Sequence, residues 1–165
     1  MKRISDKIHS ALNTQLKNEL DSSRLYLAMS QWLELNGWFG GAKLWKKYAD
    51  EELVHVDRFY KYMQDRNTMP STPVAKEQPT AFKGIKEIVQ TSYEHEVQVS
   101  TWIRDIALMA LSEKDLHTYD LMMEFIREQT EEEAKTLYWV DRIEMLEKQG
   151  ASLFFLDKEF EKEVK

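Results

Sequence analysis

A carboxylate and an imidazole lie three residues apart at Glu52 and His55, inside the stretch Asp-Glu-Glu-Leu-Val-His that begins at Asp50. On a helix, side chains at this spacing point the same way and can bind one metal ion. The apolar neighbours continue the alternating steps of three and four that are typical of the buried seam of a helix bundle. Glu52 and His55 therefore occupy positions that a structural helix would give to apolar residues. The apolar seam members of this helix are Trp45, Tyr48, Phe59 and Tyr62.

Polar side chains recur at seam positions in the other long helical segments. Glu19 precedes Glu52 by 33 residues, and Glu96 precedes Gln129 by the same 33. Each half of the chain thus supplies a lone Glu and then a pair spaced three apart, the second pair being Gln129 and Glu132. A pseudo-two-fold arrangement of the halves would bring all six side chains to one level of the core, as in di-iron carboxylate bundles.

Buried carboxylates at this level require a partner. Four of them beside one neutral imidazole would each cost several kcal/mol if ionised and unpaired. No Lys or Arg lies on the seam at that level, so the pattern predicts two divalent cations. Oxygen ligands with one imidazole favour iron or manganese, and an open coordination position suits O₂ or peroxide chemistry. A lone Glu or a lone Glu-x-x-His arises by chance, whereas six residues in register favour the metal site.

Further acidic residues flank these positions. Together with Glu132, they could form a third cation site, or they could be an ordinary solvated acidic face; the sequence leaves both open. The flanking residues are Glu51, Glu128 and Glu131.

Tyr26 lies two helical turns from Glu19 on the same face. It could hydrogen-bond a ligand or donate an electron, or it could be a core tyrosine. Three histidines fall off the seams and are predicted to lie on the surface, namely His9, His95 and His117.

The elements that position these residues are five predicted helices in one domain spanning 1–165, and the fold class is all-α. Ser5 is the expected N-cap of the first helix, and Ser112 with Asp115 resembles a capping box opening the fourth. All three prolines fall in the segment 67–80, which is long enough to run the length of the bundle. This predicts a four-helix bundle with a long crossover between helices two and three and a short fifth helix. The predicted helices span about 5–36, 39–66, 82–111, 113–149 and 152–163.

Composition narrows the class of protein. The absence of cysteine excludes disulfides and thiolate metal sites, and the net charge of −6 argues against nucleic acid as the main partner. No apolar window of 18 residues occurs, and no apolar run follows the first residues. We therefore expect neither a membrane span nor a secretory signal, and a cytoplasmic protein.

The chain resembles a bacterial non-haem ferritin over nearly its whole length. The stretch from Phe155 to Glu159 also resembles the short fifth helix of that family. The matching motifs are Asn18-Glu19-Leu20 with Ser22, Ser23 and Tyr26; Glu51-Glu52-Leu53-Val54-His55; Tyr93-Glu94-His95-Glu96; and Glu128-Gln129-Thr130-Glu131-Glu132-Glu133.

The resemblance implies an iron-storage protein with a ferroxidase centre, forming a 24-subunit homo-oligomeric cage that takes up Fe(II) and uses O₂ or H₂O₂. Glu19, Glu52 and His55 would hold the first iron, and Glu52 would bridge to a second. The second iron would also be held by Glu96 and Glu132, with Gln129 nearby. The third iron site of bacterial members would match Glu51, Glu128, Glu131 and Glu132.

Related families fit less well. Bacterioferritins carry a haem-binding Met where this chain has Leu53, so no haem is expected. Mini-ferritins divide their ligands between subunits, and rubrerythrins add a cysteine-rich module. Two other functions stay open from the residues alone: a di-metal oxidase or peroxidase that acts on a small molecule, and a helical bundle whose site serves only in assembly.

Overall fold

The structure is a computed structural model that describes residues 3–164. It contains five helices and, within that range, no strand, which confirms an all-α bundle with a short fifth helix. None of the helices in the described range is both long and apolar enough to cross a membrane. The helices are α1 (Asp6–Leu35), α2 (Phe39–Asp65), α3 (Ile85–Ser112), α4 (Leu116–Lys148) and α5 (Phe154–Glu163).

The helix ends follow local capping chemistry. The Ser5 hydroxyl accepts a hydrogen bond from the Ile8 amide at 3.1 Å and caps α1 as predicted. The predicted capping box before α4 is wrong, because Ser112 is the last residue of α3 and Asp115 is the cap. The Asp115 carboxylate accepts a hydrogen bond from the Thr118 amide at 3.1 Å. Helix α4 therefore starts three residues later than the sequence predicts.

The segment 66–84 forms the predicted long crossover. It follows α1 from the N-terminal end of that helix towards its C-terminal end, held by side chains of α1. As a result α3 starts near the C-terminal end of α1, runs antiparallel to α1 and lies parallel to α2. In order along α1, the contacts pair His9 with Met69, Asn13 with Ser71, Asp21 with Lys76 and Trp32 with Phe82.

Two buried apolar clusters lie along the bundle axis. One gathers around Trp45, Trp139 and Phe160, and the other contains the stacked rings of Phe59 and Phe125, whose centroids are 4.7 Å apart. The polar seam residues of the four long helices lie between them. The clusters hold the helices together on both sides of the polar layer, so that this layer need not stabilise the fold itself.

Helix α5 packs against the bundle at the start of α2. Leu156 and Phe160 are fully buried. Gly40 approaches α5 so closely that a Cβ at this position would lie 1.9 Å from the Asp157 carbonyl oxygen. The sequence left open whether α5 packs on the bundle or on another subunit, and for these residues it is the bundle. Phe154 and Phe155, however, remain 65% and 60% exposed.

Candidate metal centre

The polar layer encloses a cavity at the middle of the bundle. Its volume is about 10 Å³, which is roughly the space that one water molecule needs. Each of the four long helices contributes to its wall. Glu19 and Gln129 do not line it but lie beside residues that do, namely Glu52 with His55 and Glu96. The lining residues are Tyr26, Tyr48, Glu51, Glu52, His55, Glu96, Glu132 and Thr136.

The first half of the site combines Glu19 from α1 with Glu52 and His55 from α2. These three side chains offer ligand atoms that all lie within 4.8 Å of one another. The Nδ1 atom of His55 is 3.1 Å from Glu52 Oε2 and 3.8 Å from Glu19 Oε2. Gln15 donates a hydrogen bond to Glu19 Oε1 at 2.8 Å. Glu19 Oε2, although buried, has no hydrogen-bond partner among the described residues, as expected of an oxygen placed to bind a cation.

The second half combines Glu96 from α3 with Gln129 and Glu132 from α4. The Tyr26 hydroxyl donates a short hydrogen bond to Glu96 Oε1, and the Gln129 amide donates to Glu96 Oε2 at 2.9 Å. Both oxygens of Glu96 are thus already hydrogen-bonded. Glu132 accepts instead from Lys135 Nζ, at 2.7 Å.

Charge is distributed unevenly in the first half. Burial lowers the pKa of His55, but the neighbouring carboxylates of Glu19 and Glu52 outweigh this and raise it to about 10. Burial also raises the pKa of Glu19, yet the adjacent His55 brings it below the ordinary value. Without a metal, the imidazolium therefore carries the positive charge that compensates Glu19, and a metal that binds His55 must displace its proton.

Two further inner carboxylates, Glu52 and Glu96, have a raised pKa. Burial raises the pKa of Glu52 well above its ordinary value, and the charges of Glu19 and Glu96 add to this effect. Burial likewise raises the pKa of Glu96 to about 7, although the hydrogen bonds from Tyr26 and Gln129 oppose the change. The centre thus holds protons in place of cations, which is the behaviour expected of a metal site before loading.

The predicted outer residues are not brought together in the same way. Glu51 lines the cavity, whereas Glu128 and Glu131 do not, and Glu131 is exposed. Arg58 Nη1 binds both oxygens of Glu128, at 2.7 and 2.5 Å, while Glu128 Oε2 lies 3.5 Å from His55 Nε2. As expected, the seams carry no Lys or Arg at this level, but basic side chains reach two of the carboxylates from other positions. Arg58 and Lys135 reach Glu128 and Glu132 from positions off the seam.

The structure also corrects the assignment of His95 to the surface. Its ring is half-buried, its Nε2 lies 2.7 Å from the Ser22 hydroxyl oxygen, and it packs edge-on against Tyr26. Burial lowers the pKa of His95, so a neutral ring is favoured there. It supports the rear of the site through Tyr26. His117 is exposed as predicted, and His9 is half-buried beside the crossover.

Among the residues that sequence reasoning missed, two contact a ligand carboxylate of their own helix. Gln15 precedes Glu19 by four positions, and Lys135 follows Glu132 by three, so helical spacing already places each beside its carboxylate. Neither breaks the apolar pattern of a seam, which is why a search for polar residues on the seams passes over them.

The donor set fits iron. Carboxylate oxygens with a single imidazole suit Fe(II) or Mn(II), and the orphaned oxygen of Glu19 faces the same space as Glu52 and His55. The two halves differ, because an imidazole in one corresponds to Glu132 in the other. Two metal positions in this cavity would therefore be unequal.

Comparison with known proteins places the chain in a family. The family described as "Ferritin-like domain" matches residues 9–146. The bacterial non-heme ferritin of Bacteroides fragilis is 35% identical over 156 residues, covering 94% of this chain and 97% of that protein. That of Escherichia coli is 30% identical over 148 residues, with 90% of each chain covered. The open pore ferritin of the archaeon Archaeoglobus fulgidus superimposes with a TM-score of 0.93, at 32% identity and 98% coverage of both chains. The chain belongs to the ferritin family.

Proposed function

We propose that this protein stores iron and that it oxidises Fe(II), with O₂ or peroxide as the acceptor, at the centre formed by the four long helices. The observation that carries the proposal is the buried Glu19 oxygen without a hydrogen-bond partner, next to Glu52 and His55 and within reach of one cation. A buried acceptor left unsatisfied is costly, and a bound cation would remove that cost.

The residues divide into roles according to where they lie. Glu19, Glu52 and His55 would hold the first Fe(II). Glu52 also lines the cavity together with Glu96 and Glu132, so it would bridge to a second Fe(II) held by those two. Gln129 would orient Glu96 through its 2.9 Å hydrogen bond. The third position would use Glu51, Glu128, Glu131 and Glu132.

The chemistry proposed for this centre is a paired one-electron oxidation. Each of two Fe(II) ions, which are substrates, would give up one electron, and O₂ would accept both together with two protons and leave as H₂O₂. The protons on Glu52, Glu96 and His55 would leave as the cations bind, since a ligand must offer a lone pair. The ferric product would then move on to storage. Tyr26, whose hydroxyl touches Glu96, would adjust the basicity of that ligand.

Storage requires an enclosed space, and we propose that 24 copies of the chain form a cage in the cytoplasm without haem. The exposed rings of Phe154 and Phe155 on α5 support this, because adjacent apolar rings of this size are usually covered in an assembly. The fifth helix would then contribute one buried face to its own bundle and one apolar edge to neighbouring subunits.

A di-metal oxidase that acts on a small organic molecule is the main alternative. It would need room for its substrate beside the metals. The central cavity has a volume of only about 10 Å³, so an organic substrate would have to bind in the neighbouring pocket of about 280 Å³. That pocket shares only Tyr48 and Glu51 with the centre, and none of the inner ligands lines it. The geometry therefore favours oxidation of the metal itself.

One experiment tests storage and oxidation together. The purified chain would be weighed by native mass spectrometry and then loaded aerobically with increasing Fe(II). We expect a particle of 24 chains that oxidises Fe(II) rapidly and keeps far more than three irons per chain in solution. A dimer that stops at two or three irons and precipitates the excess would contradict storage. The matched variant Glu19→Ala should assemble normally and lose the rapid oxidation.

A further inference from the structure

Lys135 lies where two cavities meet. Beside the central cavity there is a larger, more open pocket of about 280 Å³, and the two share Tyr48 and Glu51 in their walls. Lys135 lines the outer pocket, while the next residue, Thr136, lines the central one. Anything that passes from the outer pocket into the centre beside Glu51 passes this lysine.

The ammonium group of Lys135 forms an ion pair with a carboxylate of the site. Its Nζ lies 2.7 Å from Glu132 Oε1, and the two side chains are 47% and 23% exposed. Glu51 is half-buried and lines the same outer pocket as Lys135. Of the acidic residues of the third position, Glu132 is thus paired with this ammonium group and Glu51 lies in the same pocket.

The second tethered cation of this region behaves differently. Arg58 binds both oxygens of Glu128 and also reaches Glu124 at 3.1 Å, and its guanidinium lies 4.1 Å from the centre of the Phe125 ring. This planar group is fixed by several contacts at once. Lys135 has a single ion pair, a flexible stem and an adjacent open pocket, so it is the one able to move away.

We propose that Lys135 is a tethered counter-ion that occupies the third metal position and that must swing into the outer pocket before a cation can bind between Glu51 and Glu132. The inference rests on the proposed function and adds a determinant of metal stoichiometry to it. The lysine keeps Glu132 compensated when no metal is present. It also makes the third position weak, so that an ion passes through it and does not stay.

The test measures binding without any oxidation. Zn(II) would be titrated calorimetrically into the assembled, metal-free protein and into Lys135→Gln at the same pH and ionic strength. We expect two tight ions per wild-type chain and a weak third. In the variant, the third ion should bind at least about tenfold more tightly, because one positive charge has left a partly exposed site.

Two controls separate this effect from a general change of charge. Lys135→Arg keeps the charge and should leave the third ion weak. Lys47→Gln removes the other lysine of the outer pocket, whose Nζ donates to the Glu163 carbonyl oxygen at 3.1 Å and acts on Glu51 only as a nearby charge, without an ion pair. It should change the affinity for the third ion far less than Lys135→Gln does and leave the two tight ions unchanged.

The possible outcomes separate the role of Lys135 from the existence of the two-metal centre. If Lys135→Gln binds the third ion no more tightly than wild type, or if Lys47→Gln gains as much, the role of Lys135 is wrong while the two-metal centre stands. If the wild-type protein binds no tight pair of ions, the proposed function fails and the inference falls with it.

Discussion

The two halves of the proposed metal centre derive from the same sequence pattern but differ in charge. In each, a lone Glu is followed 33 residues later by a helical pair. The first half, on α1 and α2, ends in His55, whereas the corresponding place in the second half, on α3 and α4, is Glu132. The first has an imidazole in contact with its carboxylates, and the second has the uncharged donors Tyr26 and Gln129 on Glu96.

The exchange of an imidazole for a carboxylate changes the protonation state of each half in the absence of metal. In the first half, the charge of His55 keeps the pKa of Glu19 below its ordinary value, so an anionic ligand is ready. In the second, burial raises the pKa of Glu96 to about 7 despite two hydrogen bonds. The first half therefore offers an anionic Glu19 but must release the proton of His55, whose pKa is about 10, whereas Glu96 is about half ionised at pH 7. A cation bound in either half should favour loss of the proton from the other.

The largest expected effect comes from removing the imidazole. His55→Ala takes away the only nitrogen ligand of the first half and leaves Glu19 and Glu52 without their positive neighbour. The initial rate of Fe(II) oxidation, followed by the absorbance of the ferric product, should fall on the order of a hundredfold or more. This corresponds to about 3 kcal/mol in the activation free energy.

His117→Ala is the matched control, because His117 is exposed on α4 and contacts no residue of the centre that the structure describes. It should oxidise Fe(II) at the wild-type rate. An unchanged initial rate in His55→Ala would mean that the first half is not where oxidation begins, and the comparison of the two halves would lose its basis.

The next effect is on stability and follows from Glu96. Its pKa of about 7 in the folded protein lies above the ordinary value of 4.5, so the native state holds a proton that the unfolded chain has released. The contribution of Glu96 to the free energy of unfolding is therefore fully present below pH 4.5. This contribution is lost as the pH rises to about 7. The loss amounts to about 3 kcal/mol. His55, whose pKa is raised to about 10, adds a loss of the same sign at higher pH.

Chemical denaturation of the metal-free protein between pH 4.5 and 8 measures this slope. Glu96→Gln keeps the shape of the side chain without a titrating proton, so it should make the slope shallower by about one proton up to pH 7 and leave the part that comes from Glu52. Glu94→Gln, an exposed neighbour on the same helix, should leave the slope intact. An equal slope in wild type and Glu96→Gln would show that the second half does not hold its proton and that the two halves are alike.

Much of this arrangement could be predicted from the sequence. The helices, the long crossover and the convergence of six polar residues follow from apolar spacing, because a buried seam tolerates few exceptions and each exception is informative. The symmetry of the 33-residue intervals then relates the two pairs. Glu19, Glu52 and His55 were identifiable for this reason before any coordinates.

The features that the sequence does not predict depend on the conformations of long, flexible side chains. Arg58 and Lys135 lie off the seams and reach Glu128 and Glu132 only through flexible stems, which no periodicity records. His95 looked exposed because its position is polar in the pattern, yet Ser22 and Tyr26 enclose it. The predicted start of α4 is wrong because Ser112 and Asp115 are both good caps; Asp115 caps α4, while the Ser112 hydroxyl donates to the Met109 carbonyl oxygen of α3.

The smallest effect concerns Tyr26, and it separates two roles for that residue. Its hydroxyl donates to Glu96, and this bond opposes the rise in the pKa of that carboxyl. In Tyr26→Phe the carboxyl should hold its proton more strongly, because a hydrogen bond to the charged form is gone. At pH 7 the second Zn(II) ion should bind roughly tenfold more weakly, with the first unaffected.

Tyr48→Phe removes a hydroxyl from the same cavity without touching Glu96 and serves as the control. If Tyr26→Phe binds both Zn(II) ions normally but oxidises Fe(II) more slowly, the hydroxyl does not tune the second half. Tyr26 would then act by donating an electron, and the unequal charge of the two halves would depend on burial alone.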